Sequence, residues 1–223
     1  SIVATPINCS VMLKDFPLLV TRISGVAETD GTALRVQRAI ARHRDGTIEV
    51  TRCHIDDKTI ELEVLGRNVP LDQQMKDALP PEVVGIWDDF DIFRGEADVV
   101  YRLVVRRAKG QRDRAEHYAD MLVRDATANF HEFPYPVERL SGRVRVQSQR
   151  LDSAKPGQVE IDLRGTAGAG TLEIKGQVPL TPRKDWPGTD TGTGGTGVGS
   201  DEMRSDLTII ARGIAVDYRA KHA

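Results

Sequence analysis

Aromatic residues, cysteines and long apolar runs are all scarce in this chain of 223 residues. Aromatic side chains make up 5% of it, and the two cysteines, Cys9 and Cys53, have neither metal-ligand spacing nor the spacing of a CxxC redox pair. We therefore expect both cysteines to be small apolar strand residues. No window approaches the roughly 20 apolar residues that a membrane-spanning helix needs, so the sequence predicts no such helix.

An excess of positive charge and the common catalytic motifs are also missing. The chain has 31 Lys and Arg against 33 Asp and Glu, which gives no overall field for nucleic acid. The sequence has no HExxH or GxSxG motif. None of the five histidines lies at metal-ligand spacing; they are His43, His54, His117, His131 and His222. We expect no enzyme activity, no metal and no cofactor, and an active site assembled only in space remains an open alternative.

An internal repeat organises the chain. Phe16-Pro-Leu-Leu-Val-Thr-Arg-Ile-Ser-Gly25 matches Phe133-Pro-Tyr-Pro-Val-Glu-Arg-Leu-Ser-Gly142 at an offset of 117. Two later matches keep the same order: Gly46-Thr-Ile-Glu-Val50 with Gly170-Thr-Leu-Glu-Ile174, and Arg67-Asn-Val-Pro-Leu-Asp72 with Arg212-Gly-Ile-Ala-Val-Asp217. Their offsets are 124 and 145. In the shared motif we assign a structural role to Phe16, Pro17, Gly25, Phe133, Pro134 and Gly142, because Pro favours an extended residue before it and Gly permits close backbone approach.

The repeat predicts the domain boundaries. Residues 1–126 form a first repeat, with a helical segment near residues 71–90, and residues 127–180 begin a second. Residues 181–205 are rich in Gly, Thr and Asp and read as a flexible insertion, and residues 206–223 continue the second copy. The chain starts with Ser1 and stops within this second copy, as expected of a segment from a longer repeat array.

Alternation with a period of two dominates each copy and predicts half-buried strands. Ile60, Leu62 and Val64 alternate with Glu61 and Glu63, for example. One aliphatic and one charged face per strand is typical of antiparallel sheets. We therefore predict a mainly β fold: an elongated, curved antiparallel sheet, open as a β-groove, built of repeats, with one or two short helices in the connections. A closed β-sandwich is the alternative.

Apolar residues at helical spacing are a weaker signal in this sequence than the alternation with a period of two. Residues 71–90 predict two short helices interrupted at Pro80 and Pro81, and residues 111–122 are compatible with a further short helix.

Three other motifs favour plain structural roles. The GxGxxG at residues 192–197 lacks a flanking strand and helix, which indicates a linker rather than a phosphate-binding loop. The carboxylates Asp88, Asp89 and Asp91, with Glu96 and Asp98, do not match a calcium loop and read as a solvated helix end before a strand. The basic run at residues 106–114 is typical of a solvated hairpin loop.

The repeat motif resembles that of the AsmA-like and TamB-like envelope proteins of Gram-negative-type bacteria, which belong to the repeating β-groove lipid transfer superfamily. The resemblance rests on Phe133-Pro-Tyr-Pro-Val-Glu-Arg-Leu-Ser-Gly-Arg-Val144, on the Gly-rich residues 162–176, and on residues 69–80 and 95–103. It implies a groove that carries phospholipid or other acyl lipids between the inner and outer membranes. It also implies a periplasmic location, an inner-membrane anchor outside this chain, and envelope protein partners at the ends.

The aliphatic alternation supplies the candidate groove lining. Its members are Ile48, Val50, Ile60, Leu62, Val64, Val99, Tyr101, Leu103, Val144, Val146, Val159, Ile161, Leu163, Leu172 and Ile174. Such a surface would bury acyl chains without direction, at about 25 cal/mol per Å². The alternative function is that of a closed β-sandwich binding or scaffold module, in which the same residues form a dry core.

Overall fold

A computed structural model describes residues 1–12, 18–79, 84, 87–88, 90–107, 114–129, 136–148, 157–180 and 206–214. The strands are β1 (Ile2–Ala4), β2 (Ile7–Val11), β3 (Val20–Thr29), β4 (Leu34–His43), β5 (Gly46–Ile55), β6 (Thr59–Pro70), β7 (Ile92–Arg106), β8 (Arg114–Ala128), β9 (Val137–Gln147), β10 (Gly157–Ala167), β11 (Gly170–Leu180) and β12 (Asp206–Arg212). Residues Gln73–Ala78 form helix α1.

All twelve strands belong to one open antiparallel sheet. From β3 to β12 each strand pairs with the next along the chain, and β1 and β2 both pair with the outer side of β3. The predicted mainly β, open antiparallel architecture is confirmed. The closed sandwich is wrong for the described strands, since they form a single sheet and no second sheet packs against it.

The alternating segments of the sequence are the strands of this sheet. Residues 97–105, for instance, lie within β7, whose 15 residues pair with β6 on one side and β8 on the other. Directly opposed residues of an antiparallel pair point to the same face. The aliphatic residues of neighbouring strands are therefore brought side by side, and the charged ones collect on the other face.

The helical prediction for residues 71–90 is confirmed in its described parts. Asp72 caps α1, because its Oδ1 accepts a hydrogen bond from the Met75 amide at 2.9 Å. Trp87 and Phe90 belong to a second helical stretch. The two prolines that were expected to separate the helices lie outside the described residues.

The helix considered for residues 111–122 is wrong where it can be checked. From Arg114 onwards these residues belong to β8. Ala115, His117, Ala119 and Met121 face β7 partners in continuous register. Pairing with strands on both sides overrides the weak helical spacing, because local propensity yields to tertiary context.

The backbone repeats at the offsets found in the sequence. Four left-handed residues have a left-handed counterpart at these offsets. At an offset of 117, Asn8 (φ 54°) matches Asp125 (47°) and Arg22 (52°) matches Arg139 (50°). At 124, Arg44 (51°) matches Gly168 (58°), and at 145, Asn68 (51°) matches Gly213 (69°). The register shift around Arg22, between Thr21 and Ser24, recurs around Arg139. The two copies therefore share their bulges and turns as well as their motif.

The motif glycines lie where neighbouring strands approach closely. A Cβ on Gly25 would lie 2.5 Å from the Arg38 carbonyl oxygen, and one on Gly142 would clash with the Asp162 carbonyl oxygen. Gly142 also has a φ of 144°, which residues with a side chain rarely adopt. The other motif positions, Phe16, Pro17, Phe133 and Pro134, lie outside the described residues, as do the GxGxxG and all of residues 181–205.

The hydrophobic core lies in the second half of the sheet. Buried side chains of β7 to β11 pack with one another and with Leu71, Trp87 and Phe90 from the helical connection. Trp87 is also fixed by a hydrogen bond of 2.8 Å from its Nε1 to the Ile92 carbonyl oxygen. The helical connection thus covers part of one face of the sheet.

Candidate functional site: an apolar face of the sheet

One face of the sheet carries aliphatic residues in rows that cross almost all of the strands. We call it the apolar face and the opposite one the charged face. One row runs from β3 to β11 through Gly25, Ala39, Val50, Val64, Tyr101, Ala119, Val146, Val159 and Val178. A second row runs from β4 to β12 through Ala41, Ile48, Gly66, Val99, Met121, Val144, Ile161, Gly176 and Leu207. The rows place aliphatic surface across the width of the sheet.

The structure places every predicted lining residue on this apolar face, but it divides them by burial. Val146, Val159, Ile161, Leu163, Leu172 and Ile174 are buried at 1–5% exposure and belong to the core. Ile48, Val50, Ile60, Leu62, Val64, Val99, Tyr101, Leu103 and Val144 are only half-buried. The buried set is closed to any ligand in this conformation, so we define the open half of the apolar face as its half-buried positions on β4 to β7.

Sequence reasoning missed several residues of the apolar face, including Val36, Ala39 and Ala41 of β4. Val36 pairs with Cys53, and Ala39 with Val50, so the apolar positions are three residues apart on both strands. This irregularity interrupts the period of two that marked the other strands. The only sequence signal for these residues was their position opposite the clearer pattern of β5.

A polar pair lies within the apolar face. The Tyr101 hydroxyl is 2.8 Å from Nδ1 of His117, and burial raises the pKa of Tyr101 to about 12, so this phenol stays neutral at physiological pH. Cys53 also lies on this face, opposite Leu62, and burial raises the pKa of its thiol. The neutral phenol and the weakly polar thiol leave the surface predominantly aliphatic. Both cysteines are free, Cys9 exposed on β2 and Cys53 half-buried on β5.

The charged face is neutralised by cross-strand ion pairs. Asp120 lies 3.0 Å from Arg143 and 3.6 Å from Arg145, and Arg145 also reaches Glu160 at 3.4 Å. The same pairing links Glu63 with Arg102 at 3.2 Å. Alternating signs leave no broad patch of one charge here, which fits a solvated outer surface.

Asp98 lies on the charged face and holds neighbouring strands together through hydrogen bonds. It accepts two hydrogen bonds from Arg124, at 2.6 and 2.9 Å, and one from the Asn68 amide at 2.9 Å, where the left-handed Asn68 interrupts the β6–β7 register. The Arg124 hydrogen bonds, and then the Asn68 amide, lower the pKa of Asp98 from 3.8 to about 2. The Asp98 carboxylate therefore stabilises the register shift between β6 and β7.

The lowered pKa of Asp98 leads to a pH-dependent prediction. Because the folded-state pKa lies below the unfolded one, the stabilisation is present above about pH 4 and is lost as the pH falls through 2. We expect Asp98→Asn to lower the free energy of unfolding at pH 7 by about 1 kcal/mol, since the side chain is partly exposed and screened. Urea unfolding of both proteins at pH 7, 4 and 2.5 should show this difference shrink only below pH 4. A difference that stays constant over this range would contradict the prediction.

The remaining candidate sites form no metal-binding cluster in the part of the chain that the structure describes. No three His, Cys, Asp or Glu side chains there are arranged to hold a metal ion. Asp88 instead contacts Lys76 at 2.5 Å. The basic run at residues 106–114 joins the paired strands β7 and β8. Residues 108–113 of this run lie outside the described residues. None of the described helices is long and apolar enough to cross a membrane.

Depressions in the described surface are shallow. Two of them hold about 120 and 100 Å³, and the first is lined by Thr47, Glu49, Leu65 and Arg67 of the charged face. Pockets for small ligands are typically about 300–1,000 Å³. The extended apolar face, rather than either depression, is therefore the best candidate for a binding surface.

Comparisons of this chain with protein-family models, with curated proteins and with solved structures found no match.

Proposed function

We propose that this chain is a non-enzymatic lipid-binding and lipid-transport segment, in which the open half of the apolar face holds acyl chains. One observation carries the proposal: aliphatic rows cross nine successive strands of a single open sheet, and most of their β4 to β7 members are only half-buried. An aliphatic surface of this kind is usually the inside of a core. An aliphatic surface that stays exposed to solvent indicates a binding site for an apolar ligand or partner.

The chemistry of the open half suits acyl chains. Each buried methylene contributes about 0.8 kcal/mol, so a stretch of about ten carbons would gain several kcal/mol without any directional contact. The half-buried side chains are mostly Val, Ile and Leu, which offer few hydrogen bonds that would fix one lipid in place. Binding of this kind is compatible with movement along the rows.

The proposed ligand, location and parent protein follow from the family resemblance. In this proposal the ligand is a phospholipid or similar acyl lipid, moved between inner and outer membranes in the periplasm. The chain then belongs to a longer, inner-membrane-anchored protein with envelope partners at its ends. These elements rest on the repeat motif and its Gly-rich companion segment.

A matched pair of substitutions on β6 tests the proposal. Leu62 lies on the apolar face, opposite Cys53 and Leu103, whereas Leu65 lies on the charged face, opposite Glu49 and Val100. Both are half-buried leucines of the same strand. We expect Leu62→Asp to reduce loading with a fluorescent phospholipid at least about tenfold, because a carboxylate would be desolvated by the bound chain. Leu65→Asp should bind like the wild type.

Loading is measured by native mass spectrometry and by fluorescence after incubation with phosphatidylglycerol vesicles, with circular dichroism to check the fold of each variant. Equal loading of the two variants would contradict the proposal, as would a wild type that takes up no lipid.

A further inference from the structure

A third row of the apolar face changes from apolar to polar along its length. It runs from β4 to β8 and consists of half-buried residues: Val36, Cys53, Leu62, Leu103 and His117. At its β8 end the side chain of Tyr101, from the neighbouring row, lies against His117, with 2.8 Å between the Tyr101 hydroxyl and Nδ1. The row therefore presents apolar surface at one end and hydrogen-bonding groups at the other.

The length of this row is sufficient for an acyl chain. Neighbouring strands of a sheet are about 4.8 Å apart, so the row from Val36 to His117 spans about 19 Å. The acyl chains of one membrane leaflet span about 15 Å, which is half of the hydrocarbon core. A lipid with its tail toward Val36 would therefore bring the polar end of its chain to the Tyr101–His117 pair.

Hydrogen bonds hold the β8 end of the row in place. The His117 amide donates to Ser148 Oγ at 2.7 Å, and the Ser148 amide donates to the His117 carbonyl oxygen at 2.9 Å. β8 is also paired with β7 on one side and β9 on the other. The Tyr101–His117 pair is therefore presented by a fixed backbone, as a binding group should be.

The surroundings of the pair favour an uncharged polar group. In the described pairing from β4 to β8, the rows through Tyr101 and through His117 contain no Lys, Arg, Asp or Glu. Arg102, next to Tyr101 in sequence, is on the charged face, where it lies 3.2 Å from Glu63. A phosphate beside Tyr101 would lack a Lys or Arg partner in these rows, whereas an alcohol needs only a hydrogen bond.

A lipid hydroxyl is compatible with both hydrogen-bond directions within the pair. The Tyr101 hydroxyl has one donor and two acceptor positions, and the contact with His117 uses one of them. Which residue donates in that contact depends on the His117 tautomer, and a ligand hydroxyl can bond Tyr101 in either case because it both donates and accepts. We propose that the Tyr101–His117 pair binds a free glycerol hydroxyl of an acylglycerol whose acyl chain lies along the third row. This inference rests on the proposed function, since it names the class of lipid that the open half of the apolar face would select.

Two ligands with the same oleoyl chain test the inference. Monooleoylglycerol carries free hydroxyls, and methyl oleate carries none. We expect Tyr101→Phe to weaken the binding of monooleoylglycerol about fivefold and to leave that of methyl oleate unchanged, because only the hydroxyl contact is lost. Both affinities are measured by displacement of a bound fluorescent phospholipid, with circular dichroism to check the fold of each variant.

Tyr118→Phe is the matched control. Tyr118 is also a half-buried tyrosine, but it lies on the charged face, opposite Arg102 and Gln147, so loss of its hydroxyl should change neither affinity. An unchanged affinity of Tyr101→Phe for monooleoylglycerol, an equal loss for both ligands, or the same loss in Tyr118→Phe would overturn the inference. The proposed function would still stand if the wild type binds the fluorescent phospholipid. A wild type that binds none of the three lipids would contradict both.

Discussion

Val159→Asp is expected to lower the free energy of unfolding by about 4 kcal/mol or more, enough to prevent folding of a marginally stable chain. Val159 is 1% exposed and faces Val146 and Val178 within the core. The substitution would bury a carboxylate where the neighbouring side chains are aliphatic. Soluble yield and urea unfolding monitored by circular dichroism measure the effect.

Val64→Asp is the matched control, because Val64 lies in the same row of the same face but is only half-buried. There we expect a loss of about 1 kcal/mol, since the carboxylate can reach water. If the two substitutions destabilise the chain equally, the division of the apolar face into a closed and an open half is wrong.

Gly142→Ala is expected to destabilise the chain by about 3 kcal/mol. Gly142 combines a φ of 144° with a Cβ position that would clash with the Asp162 carbonyl oxygen of the neighbouring strand. Alanine would therefore strain the backbone and force β9 and β10 apart, in the centre of the core. Thermal and urea unfolding would give the difference from the wild type.

Gly168 separates the two contributions. It has a φ of 58° in the hairpin turn between β10 and β11, and a Cβ there would have no described neighbour within 4 Å. Gly168→Ala should cost only about 1 kcal/mol, the cost of the left-handed backbone alone. A Gly142→Ala variant as stable as Gly168→Ala would mean that the close strand approach is not needed by the fold.

Several strands were predictable because their alternation continues for about five residues. Residues 60–64 or 159–163 indicate both a strand and the face that it buries, and directly opposed pairing then assembles the rows. The segment that became β8 was harder to assign. Residues 111–122 mix charges with small apolar residues, and only the partners Tyr101 and Val146 on either side of Ala119 decide its structure.

The bulges were not predictable from the sequence. Arg22 and Arg139 adopt left-handed backbone although arginine has no particular preference for it. The sequence repeat indicated only that residues 117 apart should behave alike. The shared register shift supplies the reason, because both copies place one extra residue in the same strand pairing.

The burial of the apolar face could not be read from alternation either. Val50 and Ile174 occupy the same position in the two copies, yet Val50 is half-buried and Ile174 is 1% exposed. The difference comes from packing within the sheet's second half, since Ile174 belongs to the buried cluster of β7 to β11 and Val50 does not. Equal patterns therefore produced a core in one copy and an open surface in the other.

Position-resolved photocrosslinking tests the central proposal most directly. A benzophenone amino acid is placed at position 62 on the apolar face or at position 65 on the charged face, and each protein is irradiated after expression in Gram-negative cells and analysed by intact mass. Lipid-mass adducts at position 62, with few or none at position 65, are the expected result. Equal adducts at both positions, or none at position 62, would contradict acyl-chain binding by the open half of the apolar face.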